Sequence, residues 1–394
     1  MKQTYDVIVV GAGPAGAILA YELAKKGIKV SLLEKEKLPR YKCCAGGVTA
    51  RAAKLLDFAI SEVAEDVVYD VSITYNSGIP YLGHYSQPLM YTVMRDVFDY
   101  FLVKRARQSG AIVIDGQEAT QIQTDADWIE ISTTDSIFRS RVVAGTDGAY
   151  SIVARRLGIR KNIEYIAGIE TELVVPQEEL VKRKSRVEID IGFIPGGYAW
   201  AFPKRDHLSV GAGCLASRAG GLNHCYENFL NSLGISNYTI ARTNSHLIPT
   251  CGGKGIVSQG KALLLGDAAG LADPFTGEGI YNAIRSAQLA APVIERSLTQ
   301  SKIDLQDYQQ AIEEKIIPEL MIARALSRVL VHLPRLAFRL LESDDRVWRG
   351  LCHLLCGEIN YATIKEKLGG FKGIFASYPE CRLLNDLHFV LIQV

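Results

Sequence analysis

The stretch that decides the fold is Tyr5-Asp-Val-Ile-Val-Val10-Gly11-Ala-Gly13-Pro-Ala-Gly16. Residues 5–10 form a run rich in β-branched side chains, and beyond the glycines Ile18, Leu19, Leu23 and Ala24 recur at helical spacing. The order is therefore strand, glycine turn, helix. Gly11 permits the tight turn, Gly13 lets the backbone approach a pyrophosphate, and Gly16 lets helix and strand pack closely. Ala15 lies in the same turn, where the helix N-terminus turns its free N–H groups toward an anion. A second strand, Lys29-Val-Ser-Leu-Leu33, ends at Glu34, 18 residues past Gly16. That is close to the roughly 20 expected for an acid that binds ribose hydroxyls. A carboxylate there repels an extra 2′-phosphate, which favours FAD or NAD over NADP. Lys35, next in the chain, joins the same expected nucleotide site.

The 394 residues predict two to three domains at the usual ~100–200 residues each. A hydrophobic share of 48% with 22% charged residues excludes disordered and low-complexity classes. Lys and Arg number 44 against 43 Asp and Glu, a net charge of +1, so no field exists for gripping nucleic acid and no such partner is expected. The eight cysteines, Cys43, Cys44, Cys214, Cys225, Cys251, Cys352, Cys356 and Cys381, show no paired CxxC zinc spacing and no secretory leader. They are expected to be reduced thiols in a cytoplasmic protein without a metal. The longest uncharged stretch, from Val7, is broken by glycines before the ~20 residues a membrane-crossing helix needs.

A second glycine cluster bears on which dinucleotide is bound. The apolar strand Ala262-Leu-Leu-Leu265 ends in Gly266-Asp267, followed by Asp273-Pro274 and Thr276-Gly277-Glu278-Gly279, and a helix opens at Ile280. This arrangement resembles flavoproteins of the p-hydroxybenzoate hydroxylase type. The resemblance implies that Asp267 binds the ribityl chain and that Gly277, Gly279 and Ile280 face the pyrimidine edge of the flavin. A helix N-terminus there would stabilise the negative charge of a reduced flavin. Asp147, in Ala144-Gly-Thr-Asp147-Gly148, resembles the Asp-Gly motif of the same superfamily, and Arg95 matches its flavin-proximal arginine. Together these point to FAD rather than NAD.

Two further segments narrow the match: Pro39-Arg-Tyr-Lys42-Cys43-Cys44-Ala45-Gly46-Gly47 and Tyr198-Ala-Trp200-Ala-Phe202-Pro203-Lys204. They look like the geranylgeranyl reductase family, and the resemblance runs from Asp6 to about Ala291. It implies that reduced FAD saturates isolated double bonds of a geranylgeranyl chain on a lipid or pigment precursor, with electrons from an external donor such as NAD(P)H or ferredoxin. The family's cysteine falls on Cys44, while Cys43 stands where a proline is common. Cys44, Ala45 and Gly46 are expected at the flavin, and Gly46 and Pro274 also at the substrate. Tyr198, Trp200 and Phe202 share one face of a strand by their period of two. Spacing alone suits plain sheet core as well; the resemblance makes that face a substrate wall.

An unactivated alkene has no carbonyl to accept charge, so hydride delivery to one carbon requires a proton at the other. Cys44 is the expected proton donor, against the plainer reading of a small packing residue. An FAD monooxygenase or halogenase shares the glycine motifs and is the alternative function.

Alternating apolar patterns over Val67–Ile79 and Ile163–Leu215 predict a mostly antiparallel sheet. The expected fold is α/β: a Rossmann-like FAD domain of residues 1–68, 95–162 and 255–297, a substrate-binding sheet of 69–94 and 163–254, and a C-terminal helical region of 298–394. His246 and Cys251 read as structural. Arg324, Arg328, Arg335, Arg339 and Arg346 fall on one side of a helical pattern, with Leu326, Val329, Leu330, Leu333, Leu336, Leu340 and Leu341 opposite and Pro334 interrupting it. A solvated basic face over a packed face is the favoured reading, and a peripheral membrane surface the sharper one.

Overall fold

The run Gln3–Val10 lies at the centre of its sheet, and the residues explain why. Val7, Ile8 and Val9 are fully buried, as a strand covered on both faces must be. The computed structural model describes residues 3–159 and 163–369, with side chains as far as 366; the expected free thiol Cys381 lies outside the described residues. The sheet order is Ser258–Gln259, Ala262–Leu264, Ile137–Gly145, Gln3–Val10, Val30–Glu34 and Ile112–Asp115. All neighbours from Ala262–Leu264 onward pair in parallel. The hairpin of Gln121–Thr124 and Ile129–Ser132 joins Ile137–Gly145 antiparallel. Helix Pro14–Lys25, opened by the proline favoured in a first turn, packs between Arg95–Gln108 and Ile280–Leu298.

A second sheet has seven strands in the order Thr239–Cys251, Ile163–Val174, Leu208–Leu215, Gly197–Pro203, Arg186–Ile191, Asp70–Tyr75 and Tyr81–His84. Its pairs are antiparallel except Arg186–Ile191 with Asp70–Tyr75. Ala199 and Ala201 turn to its far face and pack in one cluster with Tyr226 and Phe229 of helix Leu222–Ser232. The aromatic residues between them are left for the near face. The stretch Val67–Ile79, read from its alternation as part of this sheet, divides. Val67 and Val68 end strand Ala64–Val68, which pairs with Met90–Val93 in a separate three-stranded sheet. Alternation alone does not say which sheet a strand joins.

The C-terminal region is helical over Gln306–Lys315, Ile317–His332, Pro334–Ser343, Asp345–Leu355 and Tyr361–Gly369. Pro334 divides the long amphipathic pattern, having no N–H to continue the preceding helix. Four of the five arginines are exposed as a solvated face requires, but the stripe is divided between helices and Arg324 departs from it. Arg324 is half-buried, donating to Glu164 and, at 3.1 Å, to the Gly252 carbonyl, and Arg346 folds back on Asp344. Arg328, Arg335 and Arg339 are exposed. Among the described residues no helix is long and apolar enough to cross a membrane.

Candidate active site

The three glycines of the first turn meet different surroundings. At Gly11, with φ +102°, a Cβ would lie 2.6 Å from the Thr146 carbonyl oxygen; at Gly16 it would run into the Gly11 carbonyl. A Cβ on Gly13 would meet only Arg40 Nη2, at 3.9 Å. Two glycines thus serve close packing, while the third opens space at a helix N-terminus that no side chain caps. Glu34 is 4% exposed and accepts from Ala12 N at 2.9 Å and Arg40 Nε at 3.2 Å. Arg40 also reaches Asp99 at 2.8 Å, and Asp99 grips Arg95 through two 2.9 Å bonds. Burial opposes ionisation of Asp99, but the two guanidinium groups hold its carboxyl below the usual carboxylate range.

A cavity of about 1540 Å³ begins at this turn. Gly13, Ala15, Thr146, Asp267 and the loop from Pro274 to Ile280 line one end, and Lys42, Cys43, Cys44 and Ala45 line the wall between them and the second sheet. Lys42 Nζ lies 3.3 Å from Asp267 Oδ2. Gly279 opens helix Ile280–Leu298 without a side-chain cap, so the first N–H groups of that helix are open to a ligand. The neighbouring loop is held by Asp273, whose Oδ1 accepts from Phe275 N at 2.8 Å and Thr276 N at 3.2 Å.

Tyr198, Trp200 and Phe202 all line the cavity. The Tyr198 hydroxyl donates to the Thr276 carbonyl at 2.7 Å, and a Cβ on Gly277 would come within 2.5 Å of it. The aromatic strand and the loop from Pro274 to Ile280 therefore fit one another through a glycine. Gly211 is the register partner of Trp200, and a Cβ there would lie 2.5 Å from indole Cε2, so glycine lets the indole lie over the sheet. Beyond it the walls become aliphatic: Val71, Ile73, Val187 and Ile189 from the sheet face Leu326, Leu330, Leu340 and Leu341 from the C-terminal helices. The leucine side of the amphipathic pattern thus lines a cavity.

Two relatives and one solved structure place this geometry. A family model described as FAD binding domain matches residues 4–185. The chain is 30% identical to digeranylgeranylglycerophospholipid reductase 1 of Methanococcoides burtonii, over 79% of this chain and 80% of that one. The chain belongs to the geranylgeranyl reductase family. It is 29% identical to the chloroplastic geranylgeranyl diphosphate reductase of Oryza sativa subsp. japonica, over 87% of this chain and 79% of that protein. Its fold is that of the geranylgeranyl bacteriochlorophyll reductase-like protein of Thermoplasma acidophilum, with a TM-score of 0.79 at 24% identity, covering 98% and 100% of the two chains. The protein is a flavin-dependent oxidoreductase with FAD as its cofactor. The open Gly13 turn and the uncapped helix at Gly279 fit that group.

Not every residue expected at the reductase site faces the cavity. Lys35 is exposed, 4.0 Å from Glu36. Asp147 is buried and spends Oδ2 on the N–H groups of Ile152, at 2.7 Å, and Val153, at 3.3 Å, capping helix Ile152–Leu157; its neighbours Thr146 and Gly148 line the cavity instead. Burial raises the Asp147 carboxyl above the ordinary range. Gly46 stands behind the wall that Ala45 and Gly47 form. Cys43 and Cys44 separate in their surroundings. Burial and Glu170 push the Cys43 thiol upward, and it points to the Asn244 carbonyl at 3.7 Å. Cys44 instead lies beside Arg95 and Tyr198, which line the cavity with it.

Sequence reasoning read His246 as structural and passed over Arg51. His246 lines the cavity with its Nε2 buried and without a hydrogen-bond partner among the described residues, lies edge-on to Tyr150 at 6.2 Å, and is lowered in pKa by burial. Cys251, by contrast, is structural as expected, donating to the Gly253 carbonyl at 3.1 Å. Arg51 is buried and holds Glu278 at 3.0 Å through Nε and Asp273 at 3.2 Å through Nη2, while the Tyr361 hydroxyl donates to the same Asp273 oxygen at 2.6 Å. These partners lie 88 to 227 residues apart in the chain, so no local pattern announces them. Among the described residues no cluster of His, Cys, Asp or Glu could hold a metal ion.

Proposed function

We propose that this reductase saturates isolated carbon–carbon double bonds of a geranylgeranyl chain carried on a lipid or pigment precursor. The observation that carries the reading is the single cavity that joins the nucleotide turns to a long apolar slot. An alkyl chain in that slot gains by leaving water, by about 25 cal/mol per Å² of apolar surface removed.

In this reading the N–H groups at Gly13 and Ala15 take the pyrophosphate, Glu34 the ribose and Asp267 the ribityl chain. Gly277, Gly279 and Ile280 would present a helix terminus to the flavin, and Arg95 and Cys44 would line its pocket. Bound FAD, once reduced by an external donor such as NAD(P)H or ferredoxin, supplies a hydride. Tyr198, Trp200, Phe202 and Pro274 hold the chain and exclude water, and Cys44 gives the proton.

The test is anaerobic incubation of dithionite-reduced protein with geranylgeranyl phospholipid, geranylgeranyl diphosphate and a geranylgeranylated pigment precursor, read by mass. Gains of two hydrogens per bond are expected, and the compound that reacts identifies the acceptor. A mass unchanged without oxygen, but raised by oxygen or halogen when O₂ is admitted, would establish the monooxygenase or halogenase reading instead.

A further inference from the structure

Lys204 closes the aromatic motif but does not line the cavity. It is 4% exposed, and among the described residues no carboxylate lies within ion-pair distance of it. A buried ammonium without a carboxylate partner is expensive, and such groups concentrate at functional sites. Its Nζ donates to the Ala45 carbonyl at 2.6 Å and the Val93 carbonyl at 2.9 Å. Both hold the turn that carries Cys44: Ala45 follows Cys44 in the chain, and Val93 N donates to Gly46 O at 2.8 Å. Gly46 sits at φ +70°, and a Cβ there would come within 2.7 Å of Nζ. Glycine at this position is what lets the ammonium reach the turn.

Arg95 also meets the Cys44 side chain, but its charge is balanced by Asp99, as that of Arg40 is by Asp99 and Glu34 and that of Lys42 by Asp267; Lys204 is the cation here that no carboxylate pairs among the described residues. A thiol that gives up its proton inside an apolar slot leaves a thiolate, which is unstable there without a nearby positive charge. We infer that Lys204 is a positioning residue that holds the Cys44 turn and stabilises the thiolate left when Cys44 protonates the alkene. The inference rests on the proposed role of Cys44.

The step balances. The alkene's π pair and the S–H proton form one new C–H bond, and the hydride from the reduced cofactor forms the other, so alkene reduction by two electrons matches cofactor oxidation by two. The Cys44 thiolate regains a proton from water as product leaves. Burial pulls Lys204 down against the opposing pull of Glu170 and Glu172 of strand Ile163–Val174, Cys44 itself and Glu65 of strand Ala64–Val68, and leaves it at about 8. The charge is thus present at neutral pH.

The experiment measures alkylation of Cys44 by iodoacetamide against pH in Cys43→Ser protein, with Lys204 intact, Lys204→Met and Lys204→Gln. Gln can still donate to the Ala45 carbonyl, which separates charge from the holding of the turn. Both neutral variants are expected to shift the Cys44 titration upward by about one unit, a tenfold loss of alkylation at neutral pH, and to slow saturation by about tenfold with FAD still bound. Alkylation curves that coincide with Lys204 intact overturn the inference, whatever Cys44 does in turnover. Undiminished saturation by Cys44→Ser overturns the role of Cys44 itself and this inference with it, and is read separately from the alkylation curves.

Discussion

Gly13 and Gly16 stand three residues apart and are predicted to fail in opposite ways when replaced. Gly13 has open space before it and a φ of −77°, which any residue adopts. Gly13→Val is expected to fold and to purify without yellow colour, because the side chain fills the pyrophosphate's place. Gly16→Ala drives a methyl into the Gly11 carbonyl and is expected to lower the urea midpoint whether or not FAD is present. Equal FAD occupancy in Gly13→Val and the natural protein would contradict this division. Lys204 yields a second prediction at this scale. Its pKa falls from 10.5 unfolded to about 8 folded, so the unfolded chain binds a proton the folded chain has lost between those values, and stability rises with pH there. The burial penalty is full below about pH 8 and gone above 10.5. Relative to Lys204→Met, the natural protein should gain roughly 3 kcal/mol between pH 7 and the far side of that window, read from urea melts; a constant difference would contradict it. The glycines were legible because a turn is local. Lys204, Arg51 and His246 were not, because what makes each notable is a partner, or the lack of one, supplied by distant chain.

Among the elements, the first strand and the aromatic strand were both readable from their periods. The sharing of one face by Tyr198, Trp200 and Phe202 follows from alternation, but its use as a cavity wall depends on Gly211 lying opposite Trp200, a register no single strand encodes. The division of Val67–Ile79 between two sheets was hidden for the same reason. The arginine stripe was legible except at Arg324, because helical spacing says which residues share a side, not what covers them: Glu164 comes from strand Ile163–Val174 to meet Arg324. Helix Tyr361–Gly369, beyond the reach of the family resemblance, braces the loop from Pro274 to Ile280 through the bond from Tyr361 to Asp273. Tyr361→Phe removes that donor from a buried carboxylate and is expected to cost about 1–3 kcal/mol, measured by urea unfolding of the FAD-loaded protein. An unchanged midpoint would show that Arg51 alone satisfies Asp273 Oδ2.

Across the whole molecule, two sheets and a set of C-terminal helices enclose one cavity, with the nucleotide turns at one end and aliphatic side chains at the other. Family membership supplies the cofactor and the class of reaction; under the proposed function, the continuity of the cavity would let a flexible polyprenyl chain slide past one fixed flavin. The most direct measurement reduces the protein with dithionite under argon until its colour is gone, adds a geranylgeranyl lipid, and follows flavin absorbance. The expected result is a return of the yellow form without oxygen, in proportion to lipid saturated. A flavin that stays bleached with the lipid bound, and recolours only when oxygen enters, would contradict hydride transfer to the olefin.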